Sequence, residues 1–305
     1  MDAPVVLGLD FGGTKTAVAV CDADGTRLGM ATQDTLAEGG ASASLARAIR
    51  TAQTLLDRVA PERPLAAVGV ATIGIPGDFG VALAPNIPGW DGLALGSELK
   101  SAFPGAAIRL TTDVKAAAQV EASSGALADC DPAIYLNLGT GLAVAIVTGG
   151  TVVAGRNGAS GEIGYNLRER GDVWRLTDER VLLEDVVSGK ALMTEAAALL
   201  PHASGAEDVF SRVASDARLA RLFESFIAEL SFHLVNLTIA IDPARIAVGG
   251  GMVRSWDMLR DGLRRALDAA VPFPPELVRA AFPYDAPLMG ALALGLAAAR
   301  ETAEV

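Results

Sequence analysis

The chain carries an apolar strand that ends in an acid, two glycines and a hydroxyl, Leu7-Gly8-Leu9-Asp10-Phe11-Gly12-Gly13-Thr14-Lys15-Thr16. The outline recurs at Leu136-Asn137-Leu138-Gly139-Thr140-Gly141, where the run from Ala133 again ends in a polar residue and a Gly/Thr turn. Glycine lets a backbone turn tightly and lets a ligand approach it, with amide N–H groups facing an anion. Threonine hydroxyls can donate to phosphate, and Asp10 can hold Mg²⁺, usually through water. One such turn alone is more often a plain hairpin. Two of them, about 125 residues apart and each followed by another β-type run, point to an internal duplication.

A chain of 305 residues with 51% apolar content can bury a large core, and two domains are expected. The net charge of −11 argues against nucleic acid and against anionic membrane surfaces, both of which would repel it. No basic start precedes an apolar leader, and the long apolar stretches are broken by charge or glycine, so no membrane span is expected. Cys21 and Cys130 have no metal-ligand spacing and imply no disulfide framework, which suits a reduced, cytoplasmic setting.

Strands are expected at Val5–Leu9, Ala17–Cys21 and Thr26–Thr32, the last two joined by the turn Asp22-Ala23-Asp24-Gly25. Apolar residues at helical spacing then run from Ser44 to Val59 until Pro61 and Pro64. A buried strand follows at Ala66–Thr72. Another, Ala107–Thr111, delivers Thr112 and Asp113 to a helix from Val114 to about Ala122. The second half repeats the order, with strands at Ala133–Leu138, Ala143–Thr148 and Thr151–Ala154 and a hairpin turn at Gly149-Gly150. A helical region from Leu182 to about Ile241 is interrupted at Pro201 and His202–Glu207. It precedes a strand at Arg245–Val248, the triplet Gly249-Gly250-Gly251 and a helix from Trp256 to Ala270. The last helix, Pro287–Arg300, almost lacks charge and should be buried. Two βββαβα-like halves with a central ligand cleft are therefore expected. The first comprises residues 1–118 with the C-terminal helix (about 287–305), the second 119–286.

These pieces resemble the ROK family of sugar kinases nearly end to end. The resemblance is carried by Asp10-Phe11-Gly12-Gly13-Thr14-Lys15, Pro85-Asn86-Ile87-Pro88-Gly89-Trp90, the Asp113 segment and Leu138-Gly139-Thr140-Gly141. It continues through Gly158-Ala159-Ser160-Gly161-Glu162-Ile163-Gly164, Leu183-Glu184 leading to Ser188-Gly189, and Gly249-Gly250-Gly251-Met252. No one motif decides it; their order and spacing do. The resemblance implies the actin/hexokinase-like (ribonuclease H-like) α/β fold. It also implies transfer of the γ-phosphate of ATP, with Mg²⁺, to a hexose or amino-sugar hydroxyl, usually O6, and often a homodimer.

On that resemblance Asp113 is the expected general base. A sugar hydroxyl is a poor nucleophile, and a carboxylate must take its proton as the bond to phosphorus forms. The plain alternative for Asp113 is a helix N-cap. Asn86, in a loop stiffened by Pro85 and Pro88, has a donor and an acceptor for vicinal hydroxyls; otherwise it is a turn former. Glu162 and Glu184 resemble the family's two carboxylates near the anomeric end. Gly12, Gly13, Thr14, Gly139, Thr140 and Gly141 are expected around the donor phosphates, and Gly250, Gly251 and Met252 beside the adenosine. Lys15 belongs to the phosphate turn but takes no catalytic role, because no Walker pattern surrounds it. His202 and His233 are expected away from every motif.

Departures from the family pattern bear on the acceptor. Where the family commonly has a zinc-holding His after Gly-Glu-x-Gly, this chain has Tyr165. Its cysteine-rich run is replaced by Arg175-Leu176-Thr177-Asp178-Glu179-Arg180-Val181-Leu182, so zinc is not expected. Thr112 stands where an Asn usually precedes the base. Such changes suggest an acceptor other than plain glucose, a 3-amino sugar such as kanosamine being one candidate. The rivals are a non-catalytic ROK-type sugar-sensing regulator, and a kinase that takes polyphosphate as well as ATP.

Overall fold

The computed structural model describes residues 3–35, 39–85, 87–203 and 205–303. The chain forms two compact units. One is Met1–Val120 with Ala154–Ala159 and Asp285–Val305; the other is Glu121–Val153 with Ser160–Tyr284.

The first unit is built on β1 (Val5–Phe11), β2 (Lys15–Asp22), β3 (Arg27–Asp34), β4 (Leu65–Thr72) and β7 (Ala107–Thr112), in the spatial order β3-β2-β1-β4-β7. The first three strands are antiparallel hairpins, while β1, β4 and β7 run parallel. Alternation along β1 sorts the core. Val5, Leu7, Leu9 and Phe11 face α1 (Gly40–Val59), which contributes Leu45, Ala48, Ala52 and Leu55. Val6 faces the other way, onto α8 (Ala286–Ala303) with Leu288 and Leu292. That helix can lie close to the sheet because Gly69 of β4 has no side chain: a Cβ there would sit 1.9 Å from the Ala291 carbonyl oxygen. Gly69→Ala is therefore expected to destabilise this unit by about 1–3 kcal/mol or more, read from chemical denaturation, because backbone cannot yield as a side chain can.

The second unit repeats the plan with β8 (Ala133–Leu138), β9 (Leu142–Thr148), β10 (Thr151–Val152), β11 (Arg245–Gly249) and β12 (Glu276–Arg279), ordered β10-β9-β8-β11-β12. Gly149 and Gly150 close the β9–β10 hairpin, both at positive φ. The core packs α6 (Ala217–Ile241) and α7 (Trp256–Ala270) against this sheet. By length and composition α6 could cross a membrane, contrary to the expectation that no segment qualifies. Its apolar stripe, including Phe226, Leu230 and Leu234, lies instead in the core of this unit.

The region expected to be helical from Leu182 is more divided. A 3₁₀ turn covers Leu183–Asp185, followed by α4 (Gly189–Ala196), α5 (Ala206–Phe210) and then α6. New caps explain the restarts: Ser188 accepts the Ala191 amide and Asp216 that of Arg218. Also beyond the expected elements are the short hairpin β5 (Ile75–Gly77) and β6 (Gly80–Ala82), helix α2 (Leu95–Ala102), edge strand β12, and α3 (Asp113–Ser124), which extends past Ala122.

Candidate functional site

Parallel strands carry their C-terminal ends to one edge of a sheet, where loops and helix starts gather. In the first unit, register pairs Asp10 with Ala71 and Ala71 with Thr111, so Asp10 and Asp113 emerge along one edge. Burial, then the nearby charge of Asp113, pushes the Asp10 carboxyl up from its ordinary 3.8 to about 8. A desolvated carboxylate within reach of a second acidic charge is a natural place for a divalent cation, whose charge would favour the ionised form. Mg²⁺ thus fits Asp10.

Two side chains meet the first amides of helix α3. Thr112 Oγ1 accepts the amide of Lys115 at 3.3 Å, which is the N-cap bond, and Thr112 is only 4% exposed. The cap is Thr112, and Asp113 is the first helical residue, its Oδ1 accepting the Val114 amide at 2.8 Å. Thr112 was expected to face the sugar; its hydroxyl here holds the start of the helix.

The turn after β1 is held from behind. The Gly12 amide donates to Lys15 O at 3.0 Å, so it closes the hairpin and is not available as a phosphate donor. Thr35, which sequence reasoning missed, donates its hydroxyl to Gly12 O at 2.7 Å and its amide to Thr14 O at 2.8 Å. Gly13 is half-buried, and Thr14 and Lys15 are exposed. Asn86 lies outside the described residues. Its neighbour Trp90 is fully buried, stacked near Phe11 with ring centroids 5.1 Å apart and donating to Thr72 Oγ1 at 3.1 Å.

The second unit has its own turn. The Gly139 amide donates to Gly141 O at 3.1 Å, and the start of α4 backs onto it, with Gly189 donating to Gly139 O at 2.8 Å. Gly250 meets the same edge: a Cβ on it would lie 2.4 Å from Leu138 O, and its φ is +87°. Gly251 is exposed, while the Met252 side chain is 3% exposed and packs in the core.

Glu184 ties two motifs together. One carboxylate oxygen accepts the Leu142 amide at 2.8 Å, and a Cβ on Gly141 would lie 2.5 Å from that oxygen. Gly164, of the Glu162–Tyr165 segment, touches the same side chain, with Glu184 Cβ 3.1 Å from where its own Cβ would be. Burial raises the Glu184 carboxyl above its ordinary value. Glu162 and Tyr165 are both half-buried at the ends of the 3₁₀ turn Ile163–Tyr165.

Behind that turn sit two groups that sequence reasoning did not place. Arg180 donates to the carbonyl oxygens of Tyr165 (2.7 Å) and Asn166 (3.2 Å). His233, expected away from every motif, brings Nδ1 within 3.3 Å of Asn166 Nδ2, and burial lowers its pKa. The 67 residues that separate them hid the pairing from the linear order.

A model described as the ROK family matches residues 6–298. Kanosamine kinase from Amycolatopsis mediterranei is 30% identical over 257 residues, 82% of each chain. Glucokinase from Thermotoga maritima is 28% identical over 313 residues, 95% of this chain and 96% of its own. A ROK glucokinase from Streptomyces griseus, solved with glucose and AMPPNP, superposes with a TM-score of 0.74 at 25% identity, covering 95% of this chain and 99% of the other. The duplicated sheets described above are the α/β, actin/hexokinase-like fold of these neighbours.

Proposed function

The chain belongs to the ROK family, and we propose that it is a sugar kinase that moves the γ-phosphate of ATP to the 6-hydroxyl of a hexose or amino sugar. The observation that carries this reading is the Asp10–Asp113 pair on one sheet edge, beside a Gly/Thr turn and with the cap duty taken by Thr112. With Thr112 carrying the cap bond to Lys115, a carboxylate at Asp113 is suited to take a proton. Relatives named kanosamine kinase and glucokinase, and a neighbour solved with glucose and AMPPNP, support the donor and the acceptor class.

In the proposed reaction Asp113 accepts the O6 proton as the hydroxyl attacks. Thr112 fixes the backbone from which Asp113 projects. The outer amides and hydroxyls of Gly13, Thr14, Thr140 and Gly141 receive the donor phosphates, and Gly250 and Gly251 pass beside the adenosine. Asp10 holds Mg²⁺, which when bound offsets charge on the transferring phosphoryl. Asn86, Glu162, Tyr165 and Glu184 orient the sugar, and most of the rate comes from that positioning. A reduced, cytoplasmic setting and a homodimer belong to the same reading, as does the absence of zinc. The free Cys21 and Cys130 support the first.

An amino sugar such as kanosamine is the favoured acceptor, because Glu162 and Glu184 would accept from an ammonium as readily as from hydroxyls. Product analysis by phosphorus–proton correlation NMR tests the regiochemistry: a 6-phosphate is expected, and phosphate on any other oxygen refutes it. Metal analysis finding stoichiometric zinc would contradict the reading of Tyr165.

Arg180 is proposed as a positioning residue for Tyr165. Arg180→Ala is expected to raise the sugar KM about tenfold while kcat changes less than about threefold. Arg180→Lys, which keeps one donor, should recover part of the loss. Equal losses in kcat and KM with a lowered Tm would mark Arg180 as merely structural.

A further inference from the structure

On the α1 face of the first unit lies a groove of about 420 Å³ between α1 and β3. Its wall on α1 is one stripe, Arg47, Arg50, Thr51, Thr54 and Arg58, spaced as residues of a single helical face. Opposite stand Ala31 and Gln33 of β3. Among the described residues three guanidiniums line the groove and no carboxylate does, in a chain whose net charge is −11. None of the three is in an ion pair among the described residues. Like charges three residues apart on a helix repel, so the sequence keeps Arg47 and Arg50 together at a cost.

Two buried donors are left over. Among the described residues Arg47 Nε and Gln33 Nε2 have no partner, although Gln33 Oε1 accepts from Thr51 Oγ1 at 2.6 Å. Both atoms are donors, so the lining of the groove is donor-rich on the β3 side as well as on α1. Volume narrows the choice: the groove holds far more than a bare oxyanion and falls in the range of small-ligand sites.

The geometry points to a binding site for a phosphate-bearing small anion, its oxygens taking the Arg47, Arg50 and Arg58 forks. The site also has a route to the phosphate turn. Arg47 Nη2 donates to Thr35 O, and Thr35 in turn holds Gly12 O and Thr14 O. An anion that fixes Arg47 therefore steadies Thr35 and the turn behind Thr14, and the groove acts as a regulatory input to nucleotide binding.

The test titrates the full chain with inorganic phosphate and with 3-phosphoglycerate, followed by calorimetry and by the Arg47 Nε–H resonance. Saturable one-site binding is expected, tighter for the larger anion, with the Arg47 resonance moving on the same curve. Arg50→Ala/Arg58→Ala, two exposed positions outside the proposed catalytic machinery, should weaken it at least about tenfold. Anion binding should also change AMPPNP affinity about fivefold in the wild-type chain and not in the double variant. No saturable binding, an unmoved Arg47 resonance, or binding that survives the double variant at the Gly13–Thr14 turn would overturn the site. An unchanged AMPPNP affinity would overturn its regulatory role. Neither sugar nor turnover enters these measurements, so their failure leaves the kinase reading standing.

Discussion

Asp113→Asn is expected to lower kcat by about 10²–10⁴-fold while the sugar still binds within about threefold of the wild-type affinity. Asparagine is nearly isosteric and its amide oxygen can keep accepting the Val114 amide, as Asp113 Oδ1 does at 2.8 Å. Thr112 still caps α3 in the variant, so the helix should stay in place and unfolding should barely change. What is lost is the ability to take a proton. The split between kcat and sugar affinity separates this role from a structural one: a capping residue would lose stability first and kcat only through it. Steady-state kinetics beside a sugar-binding titration decides the matter. A variant with more than half the wild-type kcat would remove Asp113 as the base.

Asp10→Asn is expected to cost about 10²-fold or more in activity and yet to stabilise the ligand-free protein. Asp10 in the folded chain titrates at about 8 instead of its ordinary 3.8, for burial and then for the charge of Asp113. The folded state therefore keeps a proton that the unfolded chain has released, and stability falls as pH rises from about 4 through about 8. Below about pH 4 both states hold the proton, and Asp10 contributes no pH dependence. The neutral amide abolishes the penalty, so the gain of the variant should grow with pH, up to about 5 kcal/mol near pH 8. In Tm that is about 2–4 °C for each kcal/mol. Linkage adds a second reading in the wild type. A cation must displace the proton, so Mg²⁺ affinity should rise with pH between about 6 and 8, by up to about tenfold per unit. Asp113→Asn removes one source of the shift and should flatten that rise. A gain in Tm that is the same at pH 4 and pH 8, or Mg²⁺ affinity without pH dependence, would contradict the account of Asp10.

Much of this was legible along the chain because it is local. The strand-turn motif at Asp10–Thr14 and its echo at Gly139–Gly141 name their own neighbours, and both sheets have the strand order the duplication requires. What was hidden depends on contacts that residue spacing does not encode. Whether Thr112 or Asp113 caps α3 turns on side-chain direction, not identity, and the sequence allowed either. Thr35 looks like any strand-end threonine until it folds back on Gly12 O, 23 residues away. His233 and Arg180 reach the Tyr165 turn from distant segments, the latter through backbone carbonyls that carry no sequence signature. The inward direction of Met252 was hidden for a related reason: the glycines before it reach the sheet edge, and the 3₁₀ turn at Gly251–Ser255 turns the methionine into the core.

The central claim is phosphoryl transfer from ATP to a sugar hydroxyl with Asp113 as the base. A coupled ADP-release assay over glucose, mannose, fructose, N-acetylated hexosamines, glucosamine and kanosamine tests it most directly, with wild type and Asp113→Asn run side by side. The account predicts ADP release that requires one of these sugars, is strongest with an amino sugar, and all but vanishes in the variant. ADP release no faster with any sugar than without one would contradict it and favour a sugar-sensing role for the same fold.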